Sequence, residues 1–176
     1  MANREALREL QTRLASRLQA ARSEGVSAAW LAVHSGGGNY LFPLVQSGEI
    51  FPLTHIQAVP YSRPWFLGVM NLRGGLFGVV DLIGFLGNGE ARVQTEQSLA
   101  ESSVITFNVA LDINCALMVD GLAGLRKADA FTSASAPAAG SPTCFGNRFA
   151  DLNGLHWQEI NLRALAQTPE FLSISA

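Results

Sequence analysis

Hydrophobic residues near the N-terminus recur at steps of three and four. They are Leu7, Leu10, Leu14, Leu18 and Ala21. This spacing puts them on one side of a helix, with arginine, glutamate and glutamine on the other side, and predicts an amphipathic helix from Arg4 to Arg22 within a first segment 1–25. The stripe needs a cover, which is either the protein's own β-rich part or a partner helix.

From Ala28 onward the pattern changes to short runs rich in β-branched and aromatic residues, separated by glycine and proline. These runs predict strands at Ala29–His34, Asn39–Val45, Ile50–Leu53, Gly68–Arg73, Leu76–Val80, Val104–Ala110, Asn114–Val119, Arg148–Leu152 and Leu155–Ile160. Gly36–Asn39 predicts a hairpin turn, because glycine and asparagine tolerate positive φ. The chain is therefore predicted to be mainly β.

The segments between the strands predict short helices and loops. Asp81–Leu86 and Asn161–Gln167 are typical of short helices, the second followed by a turn at Pro169–Leu172. The polar stretch 87–103 predicts a loop with at most a weak turn, and it separates two halves of the chain. Small and helix-breaking residues over Phe131–Asn147 predict a mobile surface loop that folding does not require.

Length, composition and charge limit the classes of protein to which this chain can belong. A chain of 176 residues with 48% hydrophobic residues can form one compact unit or two small barrels sharing a core. A net charge of −2 with 12 basic residues lacks the basic footprint of a nucleic-acid binder. Because no apolar run approaches about 18 residues and no signal-peptide pattern is present, we expect a cytoplasmic protein without direct membrane insertion.

Residues that could carry chemistry are few and scattered. Cys115 and Cys144 form no C-x-x-C motif, and His34, His55 and His156 lack metal-ligand spacing. No nucleophile elbow, phosphate-binding loop or metalloprotease helix is present. We therefore expect no catalytic residue, no cofactor and no metal site, although an enzyme with an unfamiliar site stays open as an alternative.

One segment carries a specific resemblance. Gly68–Leu82 reads GVMNLRGGLFGVVDL, which resembles the pattern G-x-x-N-x-R-G-x-x-x-x-x-x-D-L of the CheW-like chemotaxis coupling family. Val104–Gly121, which ends in V-D-G, and Gly154–Leu165 extend the resemblance to about Ala28–Leu165. The resemblance implies two intertwined SH3-like five-stranded β-barrels, of about 28–86 and 102–165, in a domain 26–170 with a tail 171–176.

Two features set the chain apart from many family members. The strand that often reads V-x-E-I-R is here the segment Ser47–Pro52, SGEIFP, and an amphipathic helix precedes the domain. The helix, together with Gly84–Gly87 and Pro169–Leu172, is similar to the PilI-type members that serve type IV pilus twitching motility. That role is favoured over flagellar chemotaxis.

The resemblance also implies partners. Family members bridge the regulatory domain of a chemotaxis-type histidine kinase and the cytoplasmic tip of a methyl-accepting receptor. By position, five residues match places linked to partner binding: Glu49, Asn71, Arg73, Val104 and Ile105.

Each of these residues also has a purely structural interpretation. Arg73 could pair with Asp81 or a strand carbonyl, Asn71 could stabilise a turn, and Glu49 could be a solvated residue. Val104 and Ile105 could be ordinary strand core. A different class of function, a small-ligand-binding barrel, requires an enclosed apolar pocket with convergent polar groups.

Overall fold

The computed structural model describes residues 2–23, 28–87 and 92–176. Its helices are α1 (Ala2–Ser23), α2 (Leu82–Leu86), α3 (Glu96–Glu101), α4 (Leu162–Ala166) and α5 (Pro169–Leu172). The first strands are β1 (Ala28–Ser35), β2 (Gly38–Pro43), β3 (Ser47–Pro52), β4 (Phe66–Leu72) and β5 (Gly75–Asp81). The others are β6 (Ser103–Phe107), β7 (Cys115–Val119), β8 (Gly121–Lys127), β9 (Phe131–Ser135), β10 (Phe145–Asp151) and β11 (His156–Ile160).

The strands form two sheets that each draw on both halves of the chain. One sheet has six strands in the order β8-β1-β2-β11-β10-β9, and the other has five in the order β3-β6-β7-β5-β4. Parallel pairs join the halves, β2 with β11 and β5 with β7, while the hairpins are antiparallel. The predicted mainly β, intertwined fold with an N-terminal helix and short C-terminal helices is confirmed. The residue at which one barrel ends and the other begins stays a prediction.

Both faces of each sheet are packed with side chains. The largest cluster lies between the sheets and includes Leu31, Phe42, Leu117 and Ile160, all fully buried. Neighbours in sequence point to the opposite faces, where Val79, Val104 and Met118 form a second cluster and Ala32, Leu41 and Trp157 a third. Strands buried on both faces have near-continuous apolar runs, which explains β6 and β7. A ligand-binding barrel requires an enclosed apolar pocket, and the side chains that fill these interiors argue against one.

Three segments differ from the sequence-based prediction. The stretch 87–103 contains α3, whose N-cap Thr95 accepts a hydrogen bond from the Ser98 amide at 3.1 Å. β8 was not predicted, since its half-buried residues do not alternate between apolar and polar. The predicted loop Phe131–Asn147 is wrong at both ends. β9 pairs through its backbone with β10, the start of β10 pairs with β11, and such pairing needs few apolar side chains. The Gly36 and Gly37 turn has the expected positive φ angles, 55° and 78°.

Helix α1 packs on its own β-rich domain. Leu14 is 7% exposed and belongs to the central cluster, whereas Leu10 is 48% exposed. The Gln11 side-chain amide donates to Ser103 Oγ at 2.7 Å, and the helix lies against β3 and β8. The leucine stripe of α1 is thus covered by the protein's own β-rich domain at Leu14, whereas Leu10 stays exposed to solvent. The side chain of Leu18 lies outside the described residues.

An ion cluster of Arg92, Asp81 and Asp120 connects the two sheets. The Arg92 guanidinium donates twice to Asp81, Nε to Oδ2 at 2.8 Å and Nη2 to Oδ1 at 2.7 Å, and through Nη1 to Asp120 Oδ2 at 3.1 Å. The same Asp120 oxygen accepts from the Gly36 amide at 2.7 Å. Asp81 ends β5 of the five-stranded sheet, whereas Gly36 lies in the β1–β2 hairpin of the other. The cluster therefore fixes one sheet relative to the other.

The cluster also sets the ionisation of Asp120. Burial acts to raise its pKa, but hydrogen bonds from Arg92 and the Gly36 amide outweigh burial, so the pKa of Asp120 lies below its ordinary value. A carboxyl whose pKa is lower in the folded than in the unfolded state contributes stability above the unfolded pKa. That contribution is lost as the pH falls through the folded pKa.

We expect Asp120→Asn to be less stable than the wild type at pH 7, with a difference that persists down to about pH 4, near the unfolded pKa of aspartate, and shrinks at lower pH. The measurement is urea unfolding followed by circular dichroism from pH 7 to pH 2.5. Asp112→Asn, which removes an exposed carboxylate from a turn away from the cluster, controls for net charge. A difference between wild type and Asp120→Asn that does not change with pH would contradict the assignment.

The two leucines of α1 form a matched pair for testing the docked helix. Leu14→Ser should lower the free energy of unfolding by about 2 kcal/mol or more, because it removes a buried side chain and adds a hydroxyl. Leu10→Ser should change it by roughly 0.5 kcal/mol or less, as at other exposed positions. Thermal and chemical unfolding of both variants measures the contrast. Equal effects at the two positions would show that α1 is not docked as described.

Candidate functional site

The family-like segment forms the β4–β5 hairpin. Two residues connect the strands, and both have positive φ, 49° at Arg73 and 78° at Gly74. Two-residue hairpin loops favour this conformation because its twist matches that of the strands. The Asn71 side-chain oxygen accepts from the Gly74 amide at 3.1 Å. The asparagine and glycine of the motif therefore hold a tight turn, and the arginine between them projects from its tip.

An ion pair connects this turn to β3. Arg73 Nε lies 2.9 Å from Glu49 Oε2, with the side chains 75% and 37% exposed. The Arg73 guanidinium carbon also lies 5.9 Å from the centre of the Phe51 ring, within the range of a cation–π contact. Because β3 and β4 are the two terminal strands of the five-stranded sheet, the pair spans its opposite edges. The sheet is thus curved enough to bring its edges into contact.

A groove of about 430 Å³ runs beside this ion pair. Its lining includes Glu49, Phe51, Arg73, Phe77 and Val109. Val109 is 94% exposed, so an apolar side chain stands in water at the rim. A groove that mixes exposed apolar and aromatic groups with a few charges has the composition of a protein-binding surface, where apolar contacts supply affinity and charges fix register.

The structure brings together three of the five predicted binding residues. Glu49, Asn71 and Arg73 lie on the hairpin and the strand facing it. Val104 and Ile105 are 0% and 1% exposed, on β6 between β3 and β7, so they serve as core in the isolated chain. A role in partner binding stays a prediction for all five.

Three of the structural alternatives are settled by the contacts. Asn71 does stabilise the turn through its bond with Gly74. Pairing of Arg73 with Asp81 is wrong, because Arg73 pairs with Glu49 and the Asp81 carboxylate is bound by Arg92. Glu49 is half-exposed and ion-paired, and so is more than a solvated residue.

Sequence reasoning missed the aromatic and loop residues of the groove. Phe51 stands where many family members have arginine. Its ring lies beneath the Arg73 guanidinium, whereas an arginine at this position would repel it. Val109 and Ala110 were predicted as the end of a strand but lie in a 3₁₀ turn, Val109–Leu111, because the Asn108 side chain accepts from the Ala110 amide at 2.9 Å. The presence of phenylalanine in place of arginine at position 51 was a usable signal of the groove in the sequence. The 3₁₀ turn had no comparable signal.

Other parts of the described surface are less suited to chemistry. A second groove, of about 750 Å³, lies over Trp65 and Phe85 beside α5. Cys144 at its edge and Cys115 in the core are free thiols whose burial raises their pKa to about 11 and about 12. Thiols with such pKa values are protonated at neutral pH and are poor nucleophiles. Within 2–23, 28–87 and 92–176, no three His, Cys, Asp or Glu side chains are grouped to hold a metal ion.

The helices of the described ranges are all too short or too polar to cross a membrane.

Two interleaved sheets around a shared core, with a charged hairpin tip beside an open groove, define a β-sheet domain suited to binding other proteins. Residues 29–169 match the family described as CheW-like domain, and the chain belongs to that family. The resemblance of the Gly68–Leu82 segment is confirmed.

The chain is also similar to two individual proteins. The chain is 29% identical over 168 residues to protein PilI of Pseudomonas aeruginosa strain PAO1, an alignment that covers 93% of this chain and 89% of that protein. Its fold is similar to the crystal structure of the scaffolding protein TtCheW from Thermoanaerobacter tengcongensis, with a TM-score of 0.58 and 13% identity. That match covers 77% of this chain and 89% of the other. At such low identity it establishes the fold alone.

We expect Arg73→Glu to fold normally. The ion pair with Glu49 is largely exposed, and exposed pairs contribute about 1 kcal/mol or less to stability, so placing two glutamates together should lower the free energy of unfolding by roughly 1 kcal/mol. Thermal denaturation of Arg73→Glu and of the exchanged pair Glu49→Arg/Arg73→Glu measures this. Loss of the folded state in Arg73→Glu, with recovery in the exchanged pair, would mean that the ion pair holds the sheet closed.

Proposed function

We propose that this chain is a non-catalytic cytoplasmic adaptor that couples a chemotaxis-type histidine kinase to methyl-accepting receptors. The observation that carries the proposal is the match of residues 29–169 to the CheW-like domain, a family whose members bridge these two partners. The kinase would contribute its regulatory domain and the receptor its cytoplasmic tip. No reacting group is required, because an adaptor acts by holding its partners together.

The hairpin surface supplies a physical basis for coupling. Arg73, held at the tip of a rigid turn, presents most of its guanidinium to solvent while Glu49 and Phe51 fix its direction. A preorganised charge beside exposed apolar groups binds a complementary surface with little loss of side-chain freedom. Two weak surfaces of this kind on one adaptor would let partner concentrations control the assembly.

The proposed pathway is control of type IV pilus twitching motility. Support comes from the 29% identity to PilI, whose alignment covers 93% of this chain and so extends beyond the CheW-like domain itself. The segments outside that domain include all of α1, the feature that separates this chain from a bare domain. Flagellar chemotaxis is the alternative pathway, and the partners recovered in the experiment below distinguish the two.

The test is affinity capture from native cytoplasm followed by calorimetry with the recovered partners. We expect the wild type to capture a histidine kinase and a methyl-accepting receptor that act in twitching motility. Arg73→Glu should bind at least one of them about tenfold more weakly, because reversing a charge that orients an interface commonly costs more than 1 kcal/mol. Arg163→Glu, an identical charge change at an exposed position on α4, should bind like the wild type.

Different failures have different meanings. Capture of neither a kinase nor a receptor would contradict the adaptor function. Capture of a flagellar kinase would retain the adaptor function and replace the pathway. A folded Arg73→Glu that binds both partners with wild-type affinity would remove Arg73 from the interface without affecting the rest.

A further inference from the structure

The two sheets have four terminal strands, and other described segments lie against three of them. Helix α1 lies against β3 and β8. β4 exchanges backbone hydrogen bonds with Gln57, from the Gln57 amide to the Val69 oxygen at 2.8 Å and from the Val69 amide to the Gln57 oxygen at 2.9 Å. The fourth, β9, pairs with β10 on one side, and no described segment pairs with its other side. An open edge of this kind is a template for pairing with another strand.

β9 itself carries no charge or proline, two features with which natural proteins block pairing at an open edge, although it is short and its pairing with β10 is shifted at one end. It reads FTSAS, the range 131–147 contains no charged residue, and the nearest proline is Pro137, two residues beyond the strand. Residues 132–135 are exposed. The Thr132 and Ser135 hydroxyls donate to Ala150 and Arg148 oxygens of β10, at 3.3 and 3.5 Å, so they bond toward the sheet and leave the outer edge accessible.

We propose that β9 pairs antiparallel with β9 of a second copy of this chain. Pairing across strands supplies main-chain hydrogen bonds, and pockets for alternate side chains supply specificity. The small side chains of β9 form no such pockets, so the matching strand should also be flat, small and uncharged. β9 meets that description itself, and its copy brings no like charges into opposition.

The symmetry of this pairing defines its geometry. In an antiparallel pair of β9 strands centred on the middle residue, Ser133 lies opposite Ser133 of the second copy, and the six-stranded sheets of the two molecules become one. Five residues bury little area, so the dimer is weak and forms at high local concentration. The hairpin tip at Arg73 belongs to the other sheet, so this inference is independent of the proposed function.

Charge variants at the centre of the strand test the pairing. Sedimentation equilibrium should show a reversible dimer of the wild type, weakened up to about fivefold in Ser133→Lys and likewise in Ser133→Glu, because like charges then face each other across the pair. An equimolar mixture of the two variants should associate at least as tightly as the wild type. Gln97→Lys and Gln97→Glu make the same charge changes on exposed α3 and should dimerise normally in every combination.

Hydrogen exchange gives an independent measurement. Backbone amides of β9 should become more protected as wild-type concentration rises, while amides of β10 should not change. A wild type that stays monomeric to millimolar concentration would overturn the proposal. So would a dimer that is as strong in both Ser133 variants as in the wild type, or one that is abolished by Leu10→Ser, since either result would place the contact elsewhere.

Discussion

The contact on which the arrangement of the two sheets depends is the guanidinium of Arg92 between two carboxylates. Asp81 is 2% exposed, and an ionised carboxylate at such a position is tolerated only when it is paired and hydrogen-bonded. The hydrogen bond with Asp81, opposed by burial and reinforced by Asp120, raises the pKa of Arg92 above its ordinary value, so the arginine stays charged. The end of β5, the β7–β8 turn and the β1–β2 hairpin are consequently held at fixed distances from one another.

The tip of the β4–β5 hairpin depends on this frame. β5 pairs with β7 over Gly78–Asp81, so fixing the end of β5 fixes the hairpin that continues from it. The curvature of the five-stranded sheet then brings Arg73 to Glu49 from the opposite edge. A part-buried ion cluster thus positions one end of β5, and an exposed ion pair lies at its other end.

Local patterns could be predicted from the sequence, and contacts between distant segments could not. The β4–β5 turn follows from Asn71, Arg73 and Gly74 alone, because its hydrogen bond and φ values are local. Arg92 lies in a polar stretch without periodicity, and nothing near it indicates that two aspartates converge there. β9 was predicted as a loop for a related reason, since backbone pairing with β10 compensates for side chains that bury little area.

The interleaving of the sheets has a consequence for how the protein is made. β1 lies between β2 and β8, and β2 pairs next with β11, whose residues are synthesised more than a hundred positions later. Loop closure over such distances is slow, and a nascent chain on the ribosome holds β1 and β2 with an unsatisfied edge until the C-terminal strands emerge. Neither half of the chain can therefore complete a sheet by itself, and the six-stranded sheet can form only after β11 has been synthesised.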